Sequence, residues 1–88
     1  MNWMHEDAVG RNVQNLLRER GIIGQDEFLG NIQDIKKIYL NVVQPGCSLR
    51  TLKDYLNSAL QKEAHHFTHI VTEQTLEDIA LMMLDSSE

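Results

Sequence analysis

The sequence predicts a small all-α protein, a bundle of four helical pieces of which one is short. Apolar residues recur at helical spacing in three stretches of the chain. Two of these stretches begin at a serine or threonine that can cap a helix, and no pair of convincing strands is present. The chain has 88 residues, 42% of them hydrophobic, which is enough for a single domain over residues 1–88 with one modest core.

The first helix is predicted from about Glu6 to Arg20. Its apolar residues recur at i, i+4, i+7 and i+8: Val9, Val13, Leu16 and Leu17. Gly21 is a good C-terminal stop, whereas Gly10 is an unfavourable residue inside a helix and leaves the start uncertain. The sequence leaves open whether residues 1–5, with Trp3, dock on the bundle or are disordered.

The segment 21–46 is ambiguous. Three glycines interrupt it, yet five apolar residues keep near-helical spacing: Phe28, Ile32, Ile35, Tyr39 and Val42. The run "IYLNVV" could also form a strand, but nothing elsewhere in the sequence would pair with it. We therefore expect a mixture of helix and loop.

Pro45 and Gly46 punctuate the chain, and a strong helix is predicted from about Ser48 to Glu63. Its apolar stripe has six members: Leu49, Leu52, Tyr55, Leu56, Ala59 and Leu60. Ser48 is a natural N-cap because its hydroxyl can accept a bond from a free helix N–H. Tyr39 and Tyr55 both fall on apolar stripes and are expected in the core.

The stretch "AHHFTHIV" is interpreted as a turn followed by a short helical piece. The last helix is predicted to begin at Thr75, with Asp78 completing a capping box. Four residues form its apolar face: Leu76, Ile79, Ala80 and Met83.

Composition excludes several classes of protein. The formal net charge of −5 and the scattered basic residues disfavour a nucleic-acid partner. The apolar runs are all short of membrane-spanning length, and the N-terminus does not have the pattern of a signal peptide. The single cysteine cannot form an internal disulfide, which fits a reducing, cytoplasmic compartment.

Few residues are candidates for chemistry. His65 and His69 are four apart and could share a helix face as metal ligands do, with His66 beside them, but no third strong ligand pattern accompanies them. We therefore expect no metal. Cys47, just before a helix start, is more typical of a half-buried turn residue than of a nucleophile. No catalytic pattern of carboxylates, phosphate loop or Ser/His/Asp emerges, so we expect that the chain is not itself an enzyme.

The C-terminal half resembles a known family. "GCSLRTLKDYLNSAL" is similar to the Gly-x-Ser-Leu signature and second helix of acyl and peptidyl carrier proteins. "FTHIVTEQTLEDIALMM" looks like the third and fourth helices of that family, with Ile70 and Val71 as its apolar pair and "TLEDIA" as its last-helix signature. The resemblance covers residues 46–84.

The resemblance implies an acyl-carrier-protein-like bundle and a function. In this family a phosphopantetheinyl transferase attaches 4′-phosphopantetheine from coenzyme A to the serine, here Ser48. The thiol of the arm then carries acyl or aminoacyl groups as thioesters among loading, condensing and modifying enzymes. A phosphodiester at a helix N-terminus is also physically favourable.

The resemblance further suggests a docking face for partner enzymes around the serine. Its candidates are Cys47, Leu49, Arg50, Thr51 and Asp54, together with Met82. Cys47 stands where the family usually has Asp or His. The second helix carries basic residues where fatty-acid carriers are acidic, so a polyketide or nonribosomal-peptide pathway fits better.

The sequence also supports a second hypothesis. The chain could be a small helical interaction or regulatory protein without a prosthetic group. Its apolar residues 81–84 would then form a homodimer surface, since Met-rich faces adapt to partners.

Overall fold

The computed structural model describes residues 4–86, which form four α-helices and no strand. The helices are α1 (Glu6–Glu19), α2 (Ile32–Ile38), α3 (Leu49–Gln61) and α4 (Glu73–Asp85). One π-helical turn, Tyr39–Val43, continues α2, and one 3₁₀ turn, Ala64–His66, follows α3. The prediction of an all-α four-helix bundle is confirmed. Each helix in this range is too short or too polar to cross a lipid bilayer.

Helix α1 begins and ends close to where its apolar pattern predicts. The Nδ1 of His5 accepts a hydrogen bond from the backbone N–H of Asp7 and caps the helix. Gly10 is buried where α2 crosses, and a Cβ there would lie 3.3 Å from atoms of both Ile32 and Lys36. This close approach explains a glycine inside the helix. The Met4 N–H donates to the Ser86 carbonyl, whereas residues 1–3, with Trp3, lie outside the described part of the chain.

Gly21 ends α1 in a left-handed turn. Its φ is 71°, a value that glycine adopts without strain. The N–H of Ile22 donates to the Leu17 carbonyl at 2.9 Å, and the N–H of Gly21 donates to the Arg18 carbonyl at 3.0 Å. This pair of bonds is the Schellman motif, and its usual apolar contact is present because Leu17 and Ile22 are both buried.

The segment after this turn is a loop up to residue 31 and a helix from residue 32, which agrees with the expected mixture of helix and loop. Two polar side chains hold the loop to the helices. The buried Gln14 side chain accepts a hydrogen bond from the Leu29 N–H at 2.7 Å, and Asn31 donates to the Ala59 carbonyl at 2.6 Å. Because each bond satisfies a backbone group that the loop takes out of water, the loop has a defined course.

The core draws on all four helices and on the π-helical turn. Its most deeply buried members include Val9, Val13, Leu17, Ile35, Tyr39, Leu52, Leu56, Ile79 and Met83. Tyr39 is fully buried, as expected, and its hydroxyl donates to the Ser86 carbonyl. The expectation for Tyr55 is wrong: its side chain is 51% exposed, because it lies at the edge of the α3 stripe.

The connection from α3 to α4 differs from the prediction. The short helical piece is the 3₁₀ turn Ala64–His66, and no helix follows it in residues 67–72. The N–H and hydroxyl of Thr68 donate instead to carbonyls of the α1 turn, with the Ile22 carbonyl accepting both at 2.9 and 3.0 Å. Since the loop around Gly21 supplies acceptors for the Thr68 N–H and hydroxyl, these donors are satisfied without a helix in this segment.

Helix α4 begins earlier than predicted, and its cap is Thr72 rather than Thr75. The Thr72 hydroxyl oxygen accepts from the Thr75 N–H at 3.1 Å. Thr75 is buried within the first turn, where its Oγ1 accepts from Arg20. Arg20 also donates to the Asp78 carboxylate at 2.7 Å, and this bond, with one from Gln74, lowers the pKa of Asp78. Asp78 therefore ties α4 to α1 instead of capping α4.

The left-handed turn at Gly21 gives a first prediction. Gly21→Ala is expected to lower the free energy of unfolding by about 1–2 kcal/mol, because alanine is strained at this φ. A Cβ there would meet His69 only at 3.5 Å, an ordinary contact, so the loss comes from the backbone. Gly21→Asn is the matched control and should lose less, since asparagine tolerates the left-handed region. Urea unfolding measures both; equal losses would contradict the explanation.

Candidate functional site at the start of helix α3

The backbone between the π-helical turn and α3 presents Ser48 at the surface. The N–H of Gly46 donates to the Val43 carbonyl at 3.0 Å and closes the preceding turn. Gly46 has a φ of 110°, in the region where only glycine is unstrained, and a Cβ there would meet nothing within 4 Å. The chain therefore bends sharply through open space before it enters α3, which leaves Ser48 exposed.

Ser48 caps α3 as the sequence predicts. Its backbone is extended, with φ −78° and ψ 158°, and its Oγ accepts a hydrogen bond from the Thr51 N–H at 3.1 Å. The Ser48 hydroxyl in turn donates to Thr51 Oγ1 at 3.0 Å. The N–H groups of Leu49 and Arg50 have no acceptor within the helix, as in any first turn. The first turn of α3 holds no acidic residue, so its partial positive charge is not neutralised there.

A groove of about 400 Å³ lies beside this helix start. It is lined by residues of α3 and of the beginning of α4: Leu49, Arg50, Lys53, Asp54, Asn57, Glu73 and Leu76. Two leucines supply its apolar wall, and the other side chains are polar or charged. The groove can therefore take an extended ligand that is part polar and part apolar.

One ion pair joins the two helices across this groove. Lys53 Nζ lies 2.5 Å from Glu73 Oε1. The hydrogen bond to Glu73 raises the pKa of Lys53, and the negative charges of Glu73, Glu77 and Asp54 add to the effect. The Glu73 side chain is 78% exposed, so the ion pair contributes little to the free energy of folding. Its effect is local, because it links the two helices that line the groove.

Cys47 is half-buried next to the serine. Burial raises the pKa of its thiol, which disfavours the thiolate that a nucleophile requires. Its side chain packs against the hydrophobic core, in line with a structural turn residue.

The structure brings some of the predicted docking residues together and separates others. Leu49, Arg50 and Asp54 line the groove, while Thr51 contacts Ser48 directly. Met82 does not belong to this site. It lines a different groove with Met4 and Leu81 on the far part of α4.

Four residues of the groove were missed by the sequence analysis. Lys53 and Asn57 lie three residues after the predicted docking residues Arg50 and Asp54, on the same face of α3, so helical spacing could have found them. Glu73 and Leu76 belong to α4, and only the packing of α4 against α3 brings them to the site.

Comparison with protein-family models, with curated proteins and with solved structures found no match.

The cap geometry of Ser48 gives a second prediction. Ser48→Ala is expected to lower the free energy of unfolding by about 1 kcal/mol, because the Thr51 N–H loses its acceptor. Ser58→Ala is the matched control, an exposed serine near the C-terminal end of the same helix, where alanine should be neutral or slightly stabilising. Chemical denaturation of both variants tests this, and equal effects would mean that the cap contributes nothing.

Proposed function

We propose that this protein is a carrier that holds acyl or aminoacyl intermediates on a 4′-phosphopantetheine arm at Ser48. The observation that carries the proposal is the exposed Ser48 hydroxyl at the N-terminus of α3, beside a groove of about 400 Å³. The pathway would be of the polyketide or nonribosomal-peptide type. When attached, the arm supplies a terminal thiol on which acyl groups are carried as thioesters.

The residues around Ser48 fit a phosphodiester. The first turn of α3 offers backbone N–H groups to an anion and carries no carboxylate that would repel it. A phosphate oxygen could also accept the Thr51 N–H, which now bonds Ser48 Oγ. The exposed Arg50 adds a positive charge in the first turn of the helix.

The groove fits the remainder of such an arm. Leu49 and Leu76 offer apolar contact, while Asn57 and Lys53 offer hydrogen-bond donors to amide carbonyls. In this proposal these residues orient the arm along α3 and limit its contact with water. The chain supplies no acid, base or nucleophile to the reaction, so the chemistry belongs to partner enzymes.

The same proposal assigns the partners and the compartment. A phosphopantetheinyl transferase and the loading, condensing or modifying enzymes would dock on the exposed face of α3 next to Ser48. Arg50, Thr51 and Asp54 are exposed there, and Cys47 and Leu49 are half-buried at its edge. We place the protein in the cytoplasm, where the free thiol of Cys47 stays reduced.

Intact-mass measurement tests the carrier function. The purified protein is incubated with coenzyme A and a broad-specificity phosphopantetheinyl transferase, and its mass should rise by one phosphopantetheinyl group. Ser48→Ala should show no rise, whereas Ser58→Ala, the matched serine control, should be modified like the wild type.

Circular dichroism on the same samples shows that each variant is folded. A folded wild-type protein whose mass does not change would overturn the proposal. A mass increase that persists in Ser48→Ala would place the attachment at another residue.

The second groove favours one alternative, a homodimeric interaction protein without a prosthetic group. This groove of about 470 Å³ is lined by Met4, Leu81 and Met82, and the Leu81 side chain is 43% exposed. Met82 and Leu84 are half-buried against the core, so Leu81 is the residue to test.

This alternative predicts a dimer by light scattering. Leu81→Glu should convert the dimer to a monomer, because a charge cannot be buried unpaired at an apolar interface. Tyr55→Glu is the control, a change at an exposed side chain on α3 that does not line this groove. A monomeric wild type, or equal dissociation in both variants, would dismiss this alternative.

A further inference from the structure

Three potential metal ligands meet in the turn that follows α3. One ligand atom each from Glu63, His65 and His66 lies within 4.8 Å of the other two. The 3₁₀ turn Ala64–His66 directly follows Glu63 and brings the two histidines close to its carboxylate. His69, which the sequence spacing pairs with His65, is not part of the cluster and lies against Gly21 instead.

The Glu63 carboxylate is largely removed from water, with 15% of its side chain exposed. It is wedged against the neighbouring loop, where a Cβ on Gly30 would overlap Glu63 Oε1. Among residues 4–86, the only basic side chain within ion-pair distance is His66, whose Nε2 lies 3.9 Å from Oε2. A carboxylate that is largely removed from water is stabilised when its oxygen atoms coordinate a cation.

The two histidines present their rings side by side. The ring centroids of His65 and His66 are 3.9 Å apart, with the planes tilted by 43°. Imidazole nitrogens are common zinc ligands, and two neighbouring rings can share one metal ion. Both side chains are exposed, so their ring nitrogens are open to an ion from solution.

We propose that Glu63, His65 and His66 form a binding site for one divalent transition-metal ion, with zinc the best fit. Tetrahedral zinc with bonds of about 2.0–2.1 Å needs ligand atoms about 3.3 Å apart. Exposed imidazoles reach that spacing from 4.8 Å by rotation about their side-chain bonds. Water fills the fourth position. Two nitrogens and one carboxylate oxygen suit zinc better than magnesium or calcium, which prefer oxygen ligands alone.

The bound ion would strengthen the connection between α3 and α4. Its ligands span the turn at residues 63–66, and Glu63 is held against the loop that precedes α2. Because only the folded chain holds the three ligands in one arrangement, with Glu63 fixed against Gly30, metal binding stabilises the folded protein. This site is separate from Ser48 and needs no prosthetic group there.

Zinc titration of the tag-free, metal-free protein tests the site. Calorimetry should give one zinc ion per chain, and cobalt(II) should develop the visible absorption of a low-symmetry site with nitrogen ligands. Excess zinc should raise the melting temperature by on the order of 10 °C when its free concentration is about 100 times the dissociation constant.

Two ligand variants and one histidine control make the test specific. His66→Ala and Glu63→Gln should each weaken zinc binding at least about tenfold, because each removes one of three ligands. His69→Ala, which removes a histidine outside the cluster, should bind like the wild type. Circular dichroism checks that each variant is folded. Wild-type affinity in both ligand variants, or equal weakening in all three proteins, would overturn the proposal.

Discussion

The left-handed turn at Gly21 is the constraint on which the rest of the structure depends. It sends the chain back across the bundle, so that Ile22 is buried against Leu17 immediately after α1 ends. The carbonyls of this turn then accept hydrogen bonds from Thr68, 46 and 47 residues further along the chain. One glycine thus fixes both the first loop and the connection that precedes α4.

The end of α1 also affects the candidate site, because it positions α4. Arg20, at the end of α1, bonds Thr75 and Asp78 and so sets where the first turns of α4 lie. The same part of α4 contributes Glu73 and Leu76 to the groove beside Ser48. The groove is therefore a product of two separate attachments of α4, one to α1 and one to α3. A carrier arm at Ser48 would lie on a surface that the opposite side of the bundle holds in place.

Local hydrogen bonds and spacing made parts of this structure predictable. The cap at Ser48, the stop at Gly21 and the apolar faces of three helices depend on residues within one or two turns of each other. Prediction from the sequence fails where contacts between distant residues determine the structure. Thr75 is predicted as a cap from its spacing to Asp78, but Arg20 of α1 binds both side chains. The turn after α3 is predicted, but its 3₁₀ geometry, which brings the Glu63 carboxylate to the histidines, does not follow from the spacing.

The π-helical turn at Tyr39–Val43 has a consequence for the evolution of this site. An α-helix advances about 100° per residue, and a π-helical turn accommodates one residue more than an α-turn over the same rise. Here Tyr39 is buried in the core, and the Gln44 N–H donates to its carbonyl at 2.9 Å. The one extra residue therefore changes the direction in which the chain leaves the helix toward Gly46 and Ser48. A related chain without it would align as a single-residue gap in this turn. Its serine would still match in sequence, but the loop that bears it would leave the helix from another side.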